Sequence, residues 1–364
     1  MANKIGKVVR NIIAGANVAT VAMMILVGYS YYINPESFPR LATMGLFFPF
    51  FVVVNVAFIV FWFFVKKRCL LIPIVGLLLC SAPIRTYCPL NLPSEAPDGA
   101  IKILTYNTLD FGHREVNDDG VNHVVQYIKD CDADIVCLQE ANRKTIPSED
   151  LRKMLDKYQY FSGEMTEMES QHDLMLISKY PIVKAENLTL EDNGNGAMAF
   201  WLDVSGDTTI VVNCHLRSYQ FSVEEKNEYR EMLRDIRDRN IEGDSIKEES
   251  KRLMQRLSDA TALRSNQARV IAEFIEANKG KTIIVSGDFN DNPISYTHHT
   301  IARNMQDCFV ASGNGLGISF NEKGFFVRID HILCSENMQA YGCKVDKSIS
   351  VSDHYPVYCW LSKK

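Results

Sequence analysis

Several apolar runs of this chain adjoin side chains that bind metal ions or move protons. These polar residues are Asn107, Glu140, His215, Asp288 with Asn290, Asp330, and Asp353 with His354. Carboxylate and carboxamide oxygens bind hard divalent cations, and imidazole groups transfer protons near neutral pH. Because each residue lies at the end of a strand-like run or next to one, the pattern predicts a single polar site for metal-assisted hydrolysis.

The stretch from Gly287 to Asn290, Gly-Asp-Phe-Asn, is the most informative of these segments. The run Ile283 to Ser286 has the pattern of a buried strand and ends abruptly at Gly287. A strand end can hold a carboxylate and a carboxamide on a rigid edge. Turns also favour Gly, Asp and Asn for backbone reasons, so the segment alone fits either a site or a turn. The other segments favour a site.

The order of these motifs resembles the endonuclease/exonuclease/phosphatase superfamily. Gly287 to Asn290, followed later by Ser352-Asp353-His354-Tyr355-Pro356, is a specific combination. This superfamily includes pancreatic deoxyribonuclease, abasic-site endonucleases, neutral sphingomyelinases and inositol polyphosphate 5-phosphatases. The resemblance covers residues 100 to 362 and does not extend to the first 97 residues. It does not identify the substrate, because the superfamily applies one chemistry to nucleic acids, phospholipids and small phosphate esters.

The resemblance implies the metal ligands. Glu140 is expected to bind Mg²⁺ directly, with Asn107 and Asp353 close to the ion. Oxygen ligands suit Mg²⁺ or Mn²⁺, and the cluster lacks the thiolate spacing of a zinc site.

The resemblance also implies roles in proton transfer and charge stabilisation. His354 is expected to transfer protons while Asp330 orients its ring. Asp288 is expected to hold or deprotonate the attacking water, and the role of general base stays shared between Asp288 and His354. Asn290 is expected to donate to a phosphoryl oxygen, and His215 to stabilise charge there.

Three other histidines are interpreted without a catalytic role. His331 directly follows Asp330, and alternation along a strand directs it to the opposite face. His298 and His299 have no partners at metal-binding spacing and are predicted to lie at an exposed helix start.

An α/β fold is needed to position these residues. Strand-like runs occur at 101–107, 134–140, 174–180, 200–204, 208–216, 282–288, 329–335 and 355–361, and helical patterns at 119–130, 148–158 and 260–278. The resemblance implies a two-sheet sandwich flanked by helices, in four layers of α/β/β/α. Residues 222–259 contain twenty charged side chains and have helical spacing with a break near Gly243. This segment is predicted to be an inserted helical hairpin, either a solvated surface excursion or a cap over the site.

The N-terminal region is predicted to be an all-α transmembrane region. Residues 12–33 and 41–65 contain no charged side chain, and both stretches exceed the roughly 20 residues needed to cross a bilayer. A third apolar stretch, 69–84, has 16 residues and two prolines, so it either crosses, re-enters or lies at the interface. The predicted organisation is a membrane region at 1–88, a Pro-rich linker at 89–99 and a catalytic domain at 100–364.

The distribution of charge predicts the topology of this multi-pass protein. Basic residues precede the first stretch and follow the second at Lys66-Lys67-Arg68, whereas Glu36 and Arg40 balance each other between them. Positive charge favours the cytoplasmic side, so the N terminus and the Lys66 loop are expected inside. We expect the third stretch to cross as well, because a short span can thin the bilayer locally at modest cost, and this places the catalytic domain on the extracytoplasmic side. The seven cysteines after residue 98 show no regular pairing and resemble buried free thiols, which is more typical of a reducing compartment.

Charge also bears on the substrate. Residues 98–364 contain 31 basic and 42 acidic side chains, a net charge of −11, against +6 for residues 1–97. Nucleic acids are bound through their phosphates by clustered Lys and Arg, so a phospholipid or small phosphate ester is favoured over nucleic acid. The sequence therefore predicts a membrane-anchored phosphoesterase associated with the lipid bilayer. The alternatives are a metal-dependent nuclease acting on DNA, and a non-catalytic membrane protein that binds a phosphorylated ligand.

Overall fold

The N-terminal region is helical throughout. The computed structural model describes residues 2–142, 144–162, 173–188, 190, 196–219, 243–322 and 327–364. The first five helices are α1 (Ala2–Gly28), α2 (Pro39–Thr43), α3 (Phe48–Val65), α4 (Leu71–Leu79) and α5 (Ser81–Tyr87). Two segments, Ile5–Gly28 and Pro39–Val65, are long and apolar enough to cross a membrane. Lys67–Leu79 and Ser81–Tyr87 form a pair bent by 61°, which is either one broken span or a re-entrant loop.

Polar side chains join the first two long helices. Asn17 of α1 donates to the Oδ1 of Asn55 on α3 at 3.0 Å, and Trp62 Nε1 donates to Asn17 Oδ1 at 2.9 Å. All three side chains are fully buried. Buried polar side chains need hydrogen-bond partners, so these bonds join the two apolar helices.

The catalytic domain contains two six-stranded sheets. The strands are β1 (Ile101–Asn107), β2 (Ile135–Gln139), β3 (Tyr160–Phe161), β4 (Met175–Ser178), β5 (Ile182–Leu188), β6 (Gly196–Val204), β7 (Asp207–His215), β8 (Thr282–Asp288), β9 (Met305–Asp307), β10 (Asp330–Ser335), β11 (Met338–Val345) and β12 (Val357–Lys363). The first sheet has the strand order β11-β12-β1-β2-β4-β3, and the second has the order β5-β6-β7-β8-β10-β9. Two neighbouring pairs are parallel, β1 with β2 and β7 with β8.

Helices flank both sheets, and one of them, Cys308–Ser312, contributes Cys308 and Phe309 to the core between the sheets. These helices are α6 (Leu109–His113), α7 (His123–Cys131), α8 (Ser148–Met154), α9 (Gly243–Ala277), α10 (Tyr296–Ile301) and α11 (Cys308–Ser312). One apolar core lies between the sheets, a second between the first sheet and α7 and α8, and a third between the second sheet and α9. The predicted four-layer sandwich is confirmed.

The predicted helical insert lies only partly within the described residues. Residues 243–259 are helical and belong to α9, which continues from Gly243 to Ala277 as one helix. The rest of the predicted hairpin, residues 222–242, lies outside the described residues. Gln255 on α9 accepts a hydrogen bond from Arg40 at 3.0 Å, so this part of the helix contacts the segment between α1 and α3.

Two of the buried contacts between the helical region and the catalytic domain involve Arg328 and Ile294. Arg328, just before β10, is 2% exposed, and its guanidinium donates to the carbonyls of Thr86 at 2.7 Å and Tyr87 at 3.5 Å. The last carbonyls of a helix lack partners within it, so Arg328 caps the C-terminal end of α5. Ile294 makes the second contact, since it is buried in one apolar cluster with Val27 and Phe48.

The start of the predicted linker is attached to the catalytic domain. Asn91 Nδ2 donates to the carbonyl of Gly313 at 2.6 Å and to that of Val310 at 3.1 Å. The predicted linker is therefore held against the catalytic domain at Asn91, so fewer than its 11 residues are left to connect the two regions freely.

Candidate active site

Two of the three predicted metal ligands, Asn107 and Glu140, lie at the ends of the parallel strands β1 and β2. Asn107 ends β1, and its Nδ2 donates to Glu140 Oε1 at 3.1 Å and to Asp288 Oδ2 at 3.2 Å. Glu140 follows β2 with a φ of +50°, an uncommon backbone conformation outside glycine that is typical of functional sites. Asp353 is half-buried beside Ser352, whose Oγ donates to the carbonyl of Asn107 at 2.8 Å. The structure therefore brings the predicted ligands to one edge.

Asp288 and Asn290 are held by a tight contact between two strands. Gly287 has a φ of +137°, and a Cβ there would lie 2.0 Å from the carbonyl oxygen of Cys214 on β7, so this position requires glycine. Asn290 donates from its backbone N to Asp288 Oδ1 at 2.8 Å and from Nδ2 to Asp288 Oδ2 and the Leu216 carbonyl, both at 3.0 Å. The side-chain amide of Asn290 thus uses one hydrogen on Asp288 and the other on the Leu216 carbonyl, and donation to a phosphoryl oxygen would require one of them to be released.

His354 and Asp330 form the predicted pair. His354 Nδ1 lies 2.9 Å from Asp330 Oδ2, and its Nε2 lies 3.7 Å from Asp288 Oδ2. Burial lowers the pKa of His354, but the Asp330 and Asp288 carboxylates outweigh it and raise this pKa to about 10. Burial and the Asp330 charge raise the pKa of Asp288 to about 7 against the opposing effect of His354. The cluster therefore binds a proton more tightly than its isolated groups would, and His354 is its main carrier.

His215 completes the arrangement from the end of β7. Its Nε2 lies 3.7 Å from Glu140 Oε1 and 3.8 Å from Asp288 Oδ2. The parallel register of β7 and β8 pairs His215 with Asp288, which explains why two residues 73 positions apart meet. The ring is 7% exposed and can direct a donor at the space between these carboxylates.

The donor set of this edge fits a hard divalent cation. Glu140, Asp288 and Asp353 supply carboxylate oxygen atoms, and such ligands suit Mg²⁺ or Mn²⁺. Asn107 directs its Nδ2 at Glu140 and Asp288, so its Oδ1 would bind an ion only after the amide turned. The Glu140 side chain is 38% exposed whereas Asp288 is 1% exposed, so an ion arriving from water meets Glu140 first.

A buried polar network beneath the site is not evident from the motifs. Gln139 Nε2 donates to Asn213 Oδ1 at 2.7 Å and to Thr105 Oγ1 at 3.0 Å, which links β2 to β7 and β1. Asn213 in turn donates to the Leu138 and Met175 carbonyls. Gln139 and Asn213 precede Glu140 and His215 by one and two residues, so this network fixes the ends of both strands.

A buried ion pair behind the catalytic loop is also not evident from the motifs. Arg264 of α9 lies 3.3 Å from Asp291 Oδ2, is fully buried, and donates to the carbonyl of Arg217 at 2.8 Å. Its guanidinium also lies over the ring of Tyr219 at 4.3 Å. The position of Asp291 directly after Asn290 is a sequence signal for a role near the site. Its partner Arg264 is distant in sequence, so no motif indicates the ion pair.

The remaining histidines include one correction. His331 lies on the opposite face of β10 from Asp330, as expected, with Nε2 3.0 Å from the Asp291 carbonyl oxygen. The prediction that His298 is exposed is wrong, because it is 4% exposed and lies 3.0 Å from Asp307 Oδ2. The sequence around α10 does not indicate this contact, because the residues that cover His298 come from the distant strands β9 and β10. His299 contacts the rings of Tyr31 and Tyr32.

Sequence comparison identifies the family. The profile of the endonuclease/exonuclease/phosphatase family matches residues 104–354, and that of a domain of unknown function (DUF8431) matches residues 10–87. The chain therefore belongs to the endonuclease/exonuclease/phosphatase family, whose members are phosphoesterase hydrolases. No protein with a curated description matches this chain.

Solved structures agree with the fold. The human Nocturnin catalytic domain with bound sulfate is 16% identical, with 76% of this chain and 97% of that chain covered and a TM-score of 0.50. Sphingomyelinase C from Streptomyces griseocarneus is 18% identical, with coverages of 73% and 99% and a TM-score of 0.47. A family protein from Bacteroides thetaiotaomicron is 16% identical, with coverages of 75% and 100% and a TM-score of 0.49. At these identities the likeness concerns the fold alone.

Proposed function

We propose that this protein is a membrane-anchored, Mg²⁺-dependent phosphoesterase that hydrolyses a phosphodiester or phosphomonoester of a phospholipid or a small phosphate ester. The observation that carries this proposal is the convergence of Glu140, Asn107 and Asp288 with two histidines at one end of the sandwich, where residues of both sheets meet. Phosphoryl transfer requires charge neutralisation, a positioned water and proton transfer, and this set contains a group for each.

The residues of this chain have distinct roles in the proposed reaction. A bound Mg²⁺ would neutralise charge on the phosphoryl oxygens and the leaving group. Glu140 and Asn107 would hold the ion, with Asp353 close by. His354 moves a proton at Nε2 while Asp330 fixes its Nδ1, and Asp288 orients the attacking water.

His215 has the geometry of a donor to the reacting phosphate. It directs Nε2 between Glu140 and Asp288, the two carboxylates that flank the space for substrate. Donors already aimed at developing charge stabilise the transition state without reorganisation.

The position of the site favours a substrate at the membrane surface. Ile294 is four residues after Asn290 and packs against Val27 and Phe48 at the ends of α1 and α3. Four residues span at most about 14 Å, so the catalytic loop is tied to the region where the apolar helices end. A lipid head group at the bilayer surface would lie within reach of such a site, whereas a net charge of −11 for residues 98–364 disfavours nucleic acid.

We also propose that the protein is multi-pass with an extracytoplasmic catalytic domain. The domain contacts the segment between α1 and α3 through Glu36, which pairs with Arg269 at 2.5 Å, and it contacts the end of α5 through Arg328. The basic cluster Lys66-Lys67-Arg68 lies at the other end of α3, about 27 Å away for 18 residues. Because positive charge favours the cytoplasm, these contacts support a third crossing by α4 and α5.

A substrate panel tests the proposed activity. The full-length protein in detergent is incubated with Mg²⁺ or with EDTA and offered phospholipid vesicles, inositol phosphates, abasic DNA and plasmid DNA. We expect Mg²⁺-dependent release of phosphate or a phosphorylated head group from the lipid or small-ester members. Cleavage confined to DNA would make the protein a nuclease, and binding without turnover of every member would make it a non-catalytic receptor.

Labelling of single cysteines tests the topology. Cysteines are introduced at the exposed Ser94 and Lys279, and at Lys67 as the matched control, in a background without the partly exposed Cys69, Cys88 and Cys131. A membrane-impermeant maleimide is applied to cells whose outer layers admit it. We expect labelling at Ser94→Cys and Lys279→Cys before lysis and at Lys67→Cys only after it. The reverse order would place the catalytic domain in the cytoplasm.

A further inference from the structure

Three buried side chains meet behind the catalytic strand β10. His298 lies on α10, Asp307 ends β9, and His331 is the second residue of β10. One ligand atom from each lies within 4.8 Å of those of the other two. His298 Nε2 is 3.0 Å from Asp307 Oδ2, and the two imidazole rings are 4.6 Å apart. This cluster has no role in the catalytic edge, which lies on the opposite face of the strand.

His331 presents a lone pair to the protein interior. Its Nε2 lies 3.0 Å from the carbonyl oxygen of Asp291, and a carbonyl can only accept, so Nε2 has the proton and Nδ1 does not. Nδ1 is buried and has no hydrogen-bond partner among the described residues. Burial, together with the nearby His298 and Arg328, lowers the pKa of His331, which keeps the ring neutral. A buried acceptor without a partner is costly unless a ligand satisfies it.

We propose that His298, Asp307 and His331 form a zinc-binding site separate from the catalytic centre. Two imidazole nitrogens and one carboxylate are a common zinc ligand set, unlike the oxygen set of the catalytic edge. Two such ligands on one tetrahedral zinc ion are about 3.3 Å apart, close to the 3.0 Å between His298 Nε2 and Asp307 Oδ2. The hydrogen bond from His331 to a backbone carbonyl is the contact that orients zinc-binding histidines.

The charges around the cluster are compatible with this site. Burial raises the pKa of Asp307, but His298 and Arg328 outweigh it and hold this pKa well below its usual range, so the carboxylate is charged. Its Oδ1 accepts from Val310 N at 2.9 Å, which leaves Oδ2 for a metal. Arg328 opposes a cation nearby, yet its Nη atoms are directed to the carbonyls of Thr86 and Leu316.

A zinc ion bound here would stabilise the catalytic loop that contains Asn290 and Asp291. It would join α10, β9 and β10, and through His331 it would hold the carbonyl of Asp291, the residue after Asn290. Its role would be structural, because this face does not contain the groups assigned to hydrolysis.

Metal analysis of the full-length protein tests the site. The protein is purified in detergent through an affinity tag without histidine, and zinc is measured by mass spectrometry. We expect about one zinc per chain in the wild type and at least about a tenfold loss of affinity in His298→Gln and Asp307→Asn. The control Glu140→Gln, at the catalytic edge, should retain its zinc.

Two measurements on the wild type keep the test decisive if a variant fails to fold. A zinc chelator should lower the melting temperature of the wild type, and added zinc should restore it. Co²⁺ added to the chelated protein should give the intense visible absorption of a tetrahedral site. Absence of zinc and of the Co²⁺ spectrum would overturn the proposal, and so would zinc that is lost in Glu140→Gln and retained in His298→Gln.

Discussion

At the scale of single residues, burial determines how the proposed site handles protons. Asp288, Asp330 and His354 are each at most 4% exposed, so their charges interact without screening by water. His354 lies between the two carboxylates, with one ring nitrogen toward each. A neutral His354 would leave two carboxylates close together in a dry site, which explains why the imidazole retains its proton.

This geometry predicts that His354 and Asp330 act as one unit. His354→Ala and Asp330→Asn should each lower kcat by at least about a hundredfold, and the double variant should be little worse than the worse single one. Steady-state kinetics of the three variants provide the comparison. If the two losses simply multiply, the residues act independently and the pairing is wrong.

At the scale of elements, the sequence predicted the strands that hold the site. β1, β7 and β8 are buried along most of their length, and their apolar runs are distinctive. The strands β3, β5, β9 and β11 were missed because they lie at or beside sheet edges, where alternation is weak; β5 has exposed residues at most positions. The ion pair between Arg264 and Asp291 joins two distant elements, and contacts of this kind cannot be predicted from the periodicity of either element.

The Arg264–Asp291 ion pair predicts a large effect on stability. Arg264→Met leaves the Asp291 carboxylate buried without its cation, and breaking such a pair costs about 3–5 kcal/mol. Denaturation followed by the fluorescence of Trp201 and Trp360 measures the change. Arg269→Met is the matched control on the same helix: its pair with Glu36 is exposed and contributes at most about 1 kcal/mol. Equal effects of the two substitutions would contradict this account.

At the scale of the whole molecule, the helical region and the catalytic domain form a continuous structure. Arg328 precedes Asp330 by two residues, and Ile294 follows Asn290 by four, so both buried contacts adjoin segments that supply catalytic residues. The sequence predicted the two regions but not their contacts, because a linker composition does not reveal what lies against it. These contacts also argue that the catalytic domain is not an independent soluble module.

Arg328 provides a test of this attachment. Arg328→Gln removes the cation that caps α5, so we expect faster proteolysis within residues 89–99 and weaker attachment of the two regions. The rate of cleavage by a non-specific protease, read by gel, measures the effect. Lys153→Gln, an exposed position on α8 whose ion pair with Asp150 lies within the catalytic domain, is the control, and similar cleavage rates for both variants would show that Arg328 does not hold the regions together.

The most direct test of the central claim is Mg²⁺-dependent hydrolysis by full-length Glu140→Ala compared with the wild type. The Glu140 side chain reaches solvent at the catalytic edge and contributes little to the core, so the variant should fold normally. Glu186→Ala, an exposed position on β5, is the control and should retain full activity. We expect Glu140→Ala to lose hydrolysis at saturating Mg²⁺ with an unchanged melting temperature. Activity within about threefold of the wild type would contradict it, because a direct ligand of the catalytic ion cannot be dispensable.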